Sequence, residues 1–316
     1  MKTVYDHIKS NNRKTALLVI AFPIAFIALV FLFIWAAVAL TAAPDQNILK
    51  MTLSNTAAVA IPMAIACFVW LGISWAFGDS MMLSAAGARE IRNDEPQYKE
   101  IFRSVENTAL AAGLPMPRVY IIEDDSLNAF ATGRTPKDAS IALTRGIINK
   151  LDRLELDGVI AHEMAHIGNR DIRLDMLLIT GVGVTVFAAN IIMRMIFMSG
   201  RGGGNNKNSG QAAAILFAVW LAFMVFNFLI SPLLRMAISR KREYAADATG
   251  AFITRNPKAL ASALRKISGN SRVKSVDDNK SMSSAFIADP LKKELVGNLY
   301  ATHPPIKERV KRLEAM

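Results

Sequence analysis

The stretch Ile160-Ala161-His162-Glu163-Met164-Ala165-His166 carries the side chains best suited to do chemistry. An α-helix turns about 100° per residue, so His162 and His166 lie about 40° apart on one face, one turn from each other. Two imidazole nitrogens so placed can reach one Zn²⁺ ion at about 2.0–2.1 Å. Glu163 stands beside the same ion. There it can take a proton from an activated water and later pass it to a leaving amine. That is the chemistry of peptide-bond hydrolysis. Two of the four histidines in the chain fall in this pattern. The bland alternative is a pair of surface or capping histidines on an ordinary helix.

A catalytic zinc takes three protein ligands and keeps one position open. The remaining histidines are His7, in the tail before the first apolar run, and His303. A carboxylate is an equally good third ligand, and Glu243-Tyr244-Ala245-Ala246-Asp247 offers one. Glu243 and Asp247 are four apart and share a helical face. With Glu243 on the ion, Asp247 can hydrogen-bond a ligand histidine. Read alone, the stretch is a charged helix continuing Arg240-Lys241-Arg242. Two imidazoles and one carboxylate suit Zn²⁺, one ion per chain.

The elements that must position these groups are unusually apolar. Hydrophobic residues are 52% of the 316 and charged residues 20%, with mean hydropathy +0.28. One water-soluble core does not need that much, and disorder is excluded as the main theme. No charge occurs from Thr15 to Pro44 or from Met51 to Gly78. Each run exceeds the roughly 20 residues that cross a hydrocarbon core. A third run covers Met176 to Met193, and a fourth Asn208 to Leu234. The glycine-rich stretch between them reads as a plain hairpin connection. Four spans divide the chain into a tail and transmembrane hairpin (1–78, spans about 15–43 and 55–78), a segment with the two-histidine helix (79–173), a second hairpin (174–238), and a segment with the third ligand and a final helix (239–316). The second hairpin ends on the helices of His166 and Glu243, and packing makes these neighbours.

Orientation follows from Lys and Arg. Lys2, Lys9, Arg13 and Lys14 precede the first span, Arg89 and Arg92 follow the second, and Arg235, Arg240, Lys241 and Arg242 follow the fourth. Both termini and the site are therefore expected in the cytoplasm. The net charge of +11 fits loops held against anionic lipid better than nucleic-acid binding. Cys67, the single cysteine, reads as a small buried hydrophobe and supplies neither disulfide nor thiolate cluster.

Between the hairpins, Tyr98, Ile101, Phe102, Val105, Ala109 and Ala112 mark an amphipathic helix over Glu95–Gly113. Val119–Ile122, Leu127–Ala131 and Ser140–Leu143 read as strands, and the chain is helical again from Asp152. Ser268–Ser284 is polar, a solvated connection or an active-site flap. The expected fold is mostly α with a small β-sheet.

Together these residues resemble the integral-membrane zinc proteases of the HtpX type, relatives of the CAAX prenyl endoproteases. The likeness runs in order through two spans, Leu127-Asn128-Ala129-Phe130-Ala131-Thr132-Gly133, then His162-Glu163-Met164-Ala165-His166. Two more spans follow, then Glu243 to Asp247, and finally Thr302-His303-Pro304-Pro305 with Arg309. It implies four transmembrane helices plus a cytoplasmic zincin-like α+β catalytic domain. It implies zinc on His162, His166 and Glu243, with Glu163 as base. It also implies Asn128 on an edge strand where a substrate backbone adds, and His303 stabilising the oxyanion or binding substrate backbone. On residue type alone Asn128 is a turn residue. Thr302–Pro305 merely starts the last helix, with Ile306, Val310 and Leu313 as its buried stripe. Arg309 either orients carboxylates or solvates that helix.

The implied role is quality control under envelope or heat stress: cutting misfolded or damaged membrane proteins, or unfolded polypeptides, at the cytoplasmic face of a bacterial inner membrane. The lipid bilayer is then a partner and nucleic acid is not. A non-catalytic metal-binding scaffold has no use for Glu163. A transporter favours ionisable groups inside its spans. Prenyl-protein processing needs a larger intramembrane chamber than four spans enclose.

Overall fold

A computed structural model describes residues 4–42, 46–199, 209–230, 240–273, 285–288 and 304–316. His303, the glycine-rich residues 200–208 and residues 274–284 of the polar loop lie outside the described residues, as do the side chains of His7 and Cys67. The chain divides into two compact units: Met1–Lys14, Ser74–Thr180 and Arg235–Met316 in one, Thr15–Ile73 and Gly181–Leu234 in the other.

The first unit holds the sheet. Its strands are β1 (Ala88–Glu90), β2 (Arg118–Ile122), β3 (Ala129–Thr132) and β4 (Ser140–Thr144), in the order β1-β2-β4-β3. β2 and β4 are parallel, pairing Val119 with Ile141 and Ile121 with Leu143. β1 is antiparallel to β2 and β3 antiparallel to β4, so β3 forms an edge. A parallel pair is covered on both faces, which is why Val119-Tyr120-Ile121-Ile122 is apolar without alternation. Side chains still alternate: Ile121, Ile141, Leu143, Ala129 and Ala131 enter one core. Tyr120, Ile122, Phe130 and Ala142 enter another, with Met82, Leu83, Met176 and Leu177. The third strand starts two residues later than its sequence suggests. β1 is too short and too exposed to leave a pattern.

The helices on that sheet have local causes. Lys99–Ala112 (α3) buries Ile101, Val105 and Ala109 and stops at Gly113, whose φ of 67° suits a residue without Cβ. After the short α4 (Arg145–Lys150) comes α5 (Arg153–Gly168). Asp152 caps it: its carboxylate accepts from Glu155 N at 2.9 Å, and the Glu155 carboxylate accepts from Asp152 N at 2.9 Å. Glu155 also accepts from Ser262 Oγ and Lys266 Nζ, 2.7 and 2.6 Å away, on the helix Pro257–Ser268. α5 is buried nearly all round, so it lacks the stripe of a surface helix.

The second unit is built from helix. α1 (Val4–Thr41) and α2 (Ile48–Ala85) contain Pro23 and Pro62 inside the helix. The others are α6 (Asp171–Ser199) and α7 (Ser209–Val225), followed by a π turn at Phe226–Ile230; residues 4–14 of α1, 74–85 of α2 and 171–180 of α6 belong to the first unit. Phe26 meets Phe223 and Phe226 edge-on at ring separations of 4.5 and 5.0 Å. Leu40, Phe68 and Phe197 are 86, 66 and 70% exposed, a density of bare apolar groups that belongs in hydrocarbon. Among the described residues three helices are long and apolar enough to cross a membrane: Pro23–Thr41, Ala64–Ala85 and Asp171–Met198. Where the sequence predicts a fourth span, the described apolar helix is the shorter Ala213–Phe228. Residues 231–234 of that span are not among those described.

Candidate metal centre

Two helices meet at the site. α5 brings His162, Glu163 and His166; α8 (Arg240–Thr254) brings Glu243 and Asp247. Gly250 lets them close: a Cβ there would lie 3.0 Å from His162 N and 3.2 Å from His162 Cα. Gly250→Val should therefore push α8 off α5 and cost about 1–3 kcal/mol, read as a lowered unfolding midpoint in detergent.

The Nε2 atoms of His162 and His166 are 3.3 Å apart. Two atoms each bound at about 2.0–2.1 Å to a tetrahedral ion are about 3.3–3.4 Å apart, so the imidazoles stand as a zinc pair requires. Glu243 Oε2 is 3.7 Å from His162 Nε2, and Oε1 is 3.6 Å from His166 Nε2. One donor atom from each of the three residues falls within 4.8 Å of the others. Glu163, only 2% exposed, lines the same cleft as these residues, Ala131, Phe286 and Ile287.

Each imidazole is backed by a carboxylate. Asp247 Oδ1 is 3.1 Å from His162 Nδ1. Arg309, fully buried, donates to both Asp247 oxygens at 2.7 and 2.8 Å. It also donates to Ile287 O at 2.9 Å, and its Nη2 lies 3.3 Å from His162 Nε2. On the other side, Asp171 Oδ2 is 2.9 Å from His166 Nδ1. Sequence reasoning left Arg309 open and missed Asp171. The signal for Arg309 was present: it falls on the same helical face as Ile306, Val310 and Leu313.

The electrostatics favour a cation. Burial works against charge on His166, but the hydrogen bond to Asp171 and the charges of Glu243, Asp171 and Glu163 win, pushing it up to about 9. Burial dominates at His162 and lowers it, keeping the neutral, ligating form. Burial also opposes the Asp247 carboxylate, yet the Arg309 charge and the adjacent His162 ring hold it down at about 2.

Asn128 sits just before β3, fully buried. Its Nδ2 donates to Ser271 O at 2.8 Å and to Ala288 O at 2.9 Å. Thr144 N donates to Asn128 O, so Asn128 and Phe130 face β4 while Ala129 and Ala131 turn their backbone groups outward. Ala129 O accepts from Ile287 N at 2.9 Å. Among the described residues, Ala131 has no backbone partner on that outer side.

Residues 95–316 match the family model of "Peptidase family M48". The protease HtpX homolog of Thermoanaerobacter pseudethanolicus is 37% identical over 316 residues, covering 100% of this chain and 98% of that one. The protease HtpX homolog of Bacteroides fragilis is 40% identical over 314 residues, 96% of each chain. A crystal structure of S. mikatae Ste24p aligns with TM-score 0.46 and 17% identity, over 95% of this chain and 64% of that one.

Proposed function

Because the chain belongs to peptidase family M48, a family of metallopeptidases, we propose that it is a zinc endopeptidase of the bacterial inner membrane that cuts misfolded or damaged membrane proteins at the cytoplasmic face. The observation that supports this most is the convergence of two Nε2 atoms and one carboxylate within 4.8 Å, with Glu163 on the same helix as the imidazoles and in the same cleft.

In this reading His162, His166 and Glu243 hold one Zn²⁺. When bound, the ion supplies Lewis acidity towards the scissile carbonyl and the attacking water. Glu163 takes the water's proton on its carboxylate and delivers it to the departing amine nitrogen. Asp247, fixed by Arg309, keeps the ring of His162 turned with Nε2 inward. The outward backbone groups of Ala131 are the place for an extended substrate segment to pair, next to the imidazoles. The apolar helices bring membrane-protein substrates to the site, and the Lys and Arg distribution argues for both termini and the site in the cytoplasm.

The test compares detergent-purified wild type with Glu243→Ala by elemental analysis and by cleavage of an unfolded polypeptide such as casein. Wild type should carry about one zinc per chain and lose cleavage to a chelator. Glu243→Ala should lose most of its zinc and its activity together. A fully zinc-loaded wild type that cuts neither casein nor a destabilised membrane protein would overturn the endopeptidase reading. Stoichiometric zinc in Glu243→Ala would overturn the ligand set.

A further inference from the structure

We infer that Asp171 and Arg242 are positioning residues for the metal centre: the carboxylate that opens α6 sets the ring of His166, and the Arg242 guanidinium sets that carboxylate. This rests on the site being a metallopeptidase centre and adds two residues outside its ligands and base.

The geometry is a chain of three groups. Asp171 Oδ2 is 2.9 Å from His166 Nδ1, and Arg242 Nη1 donates to Asp171 Oδ1 at 3.0 Å. Arg242 Nη2 donates to Asp175 Oδ1 at 3.0 Å. Asp171 is 1% exposed, so this is not a solvated surface contact. With Nδ1 held as the donor, Nε2 is the nitrogen that gives up its proton and offers a lone pair to a cation, and Nε2 is the atom that faces His162 and Glu243. Asp171 thus decides which nitrogen is offered and holds the ring's rotation.

The backbone is shaped for this contact. In an unbroken helix a residue five positions after His166 would sit about 140° round the axis, away from the ring. The helix is broken: α5 ends at Gly168, Arg170 takes a φ of 58°, and α6 starts at Asp171. A left-handed conformation at a non-glycine residue is uncommon. Here it returns Asp171 to the histidine. The arrangement also repeats the one at His162, where Asp247 backs the ring and Arg309 backs Asp247. Arg242 is moreover the neighbour of Glu243, so its pair with Asp171 anchors the turn of α8 that carries the third ligand. The first turns of an apolar helix therefore form part of the support of the metal centre.

The competing explanation is a helix–helix ion pair that serves stability alone. Asp175 separates the two, because it shares Arg242 but touches neither imidazole in the described contacts. Full-length protein in detergent is titrated with Zn²⁺ against a chelator, and the visible spectrum of the Co²⁺-loaded form is recorded. Asp171→Ala should raise the zinc Kd about 10–100-fold and alter the Co²⁺ spectrum. The near-isosteric Asp171→Asn guards against misfolding and should shift both readouts in the same direction, by less. Asp175→Ala should stay within about threefold of wild type. Wild-type zinc affinity and an unchanged Co²⁺ spectrum in both Asp171 variants would overturn the inference while leaving the metal centre intact. So would a loss in Asp175→Ala as large as in Asp171→Ala. A wild type that binds no zinc would sink the metallopeptidase reading itself, and this inference with it.

Discussion

Glu163→Gln is expected to abolish peptide cleavage and leave zinc content near that of wild type. Glutamine keeps the shape of the side chain in a site that is 2% exposed, so the cleft and the helix survive the change. What disappears is the carboxylate's capacity to accept a proton. A positioned general base contributes about 10²–10⁴-fold to rate, so the residual rate should fall by at least that range. Glu163 is not one of the three residues whose donor atoms converge. Its loss therefore separates binding from chemistry, which a ligand substitution cannot do. Single-turnover cleavage with parallel elemental analysis measures both quantities. A glutamine variant that cuts within tenfold of wild type would remove Glu163 from the role of base.

Arg309→Ala is expected to destabilise the first unit by about 3–5 kcal/mol, the usual cost of stripping one partner from a buried ion pair. The guanidinium is wholly buried and satisfies both oxygens of Asp247 and the carbonyl of Ile287. Without it, only His162 opposes the effect of burial on Asp247, and the carboxyl moves upward from about 2. The ring of His162 then loses a charged acceptor, so zinc affinity should drop as well. The double variant Arg309→Met with Asp247→Asn buries no uncompensated charge and should recover part of the stability. Thermal unfolding in detergent, with and without chelator, reads both effects. An Arg309→Ala protein that melts with wild type would mean the pair carries no such load.

These residues also show how far the sequence reaches. The two histidines and Glu163 are legible because a helix fixes the relative direction of residues one and four positions apart without help from the rest of the fold. The helix start at Asp152, the stop at Gly113 and the apolar runs are legible for the same reason: each depends on neighbours within about one turn or on length alone. Arg309 was half legible: its spacing puts it on the apolar face, yet the sequence left open whether it orients carboxylates or solvates that helix. Asp171 was not legible, because reading it as helix turns it away from His166, and only the left-handed Arg170 reverses that.

The sequence by itself determined two imidazoles one helical turn apart, their attendant carboxylate, the apolar helices and a mostly helical fold with a small sheet. The sequence offered Glu243 as a third ligand; tertiary structure alone brings its carboxylate and both imidazoles within 4.8 Å of one another, places an aspartate and an arginine behind each imidazole, and ties Asn128 to Ser271 and Ala288 from beside an edge strand. The division has one cause. Backbone dihedrals and helical period are set by adjacent residues. The distance between α5 and α8 is set by what packs between them, down to the missing Cβ of Gly250, and no periodicity along the chain encodes that.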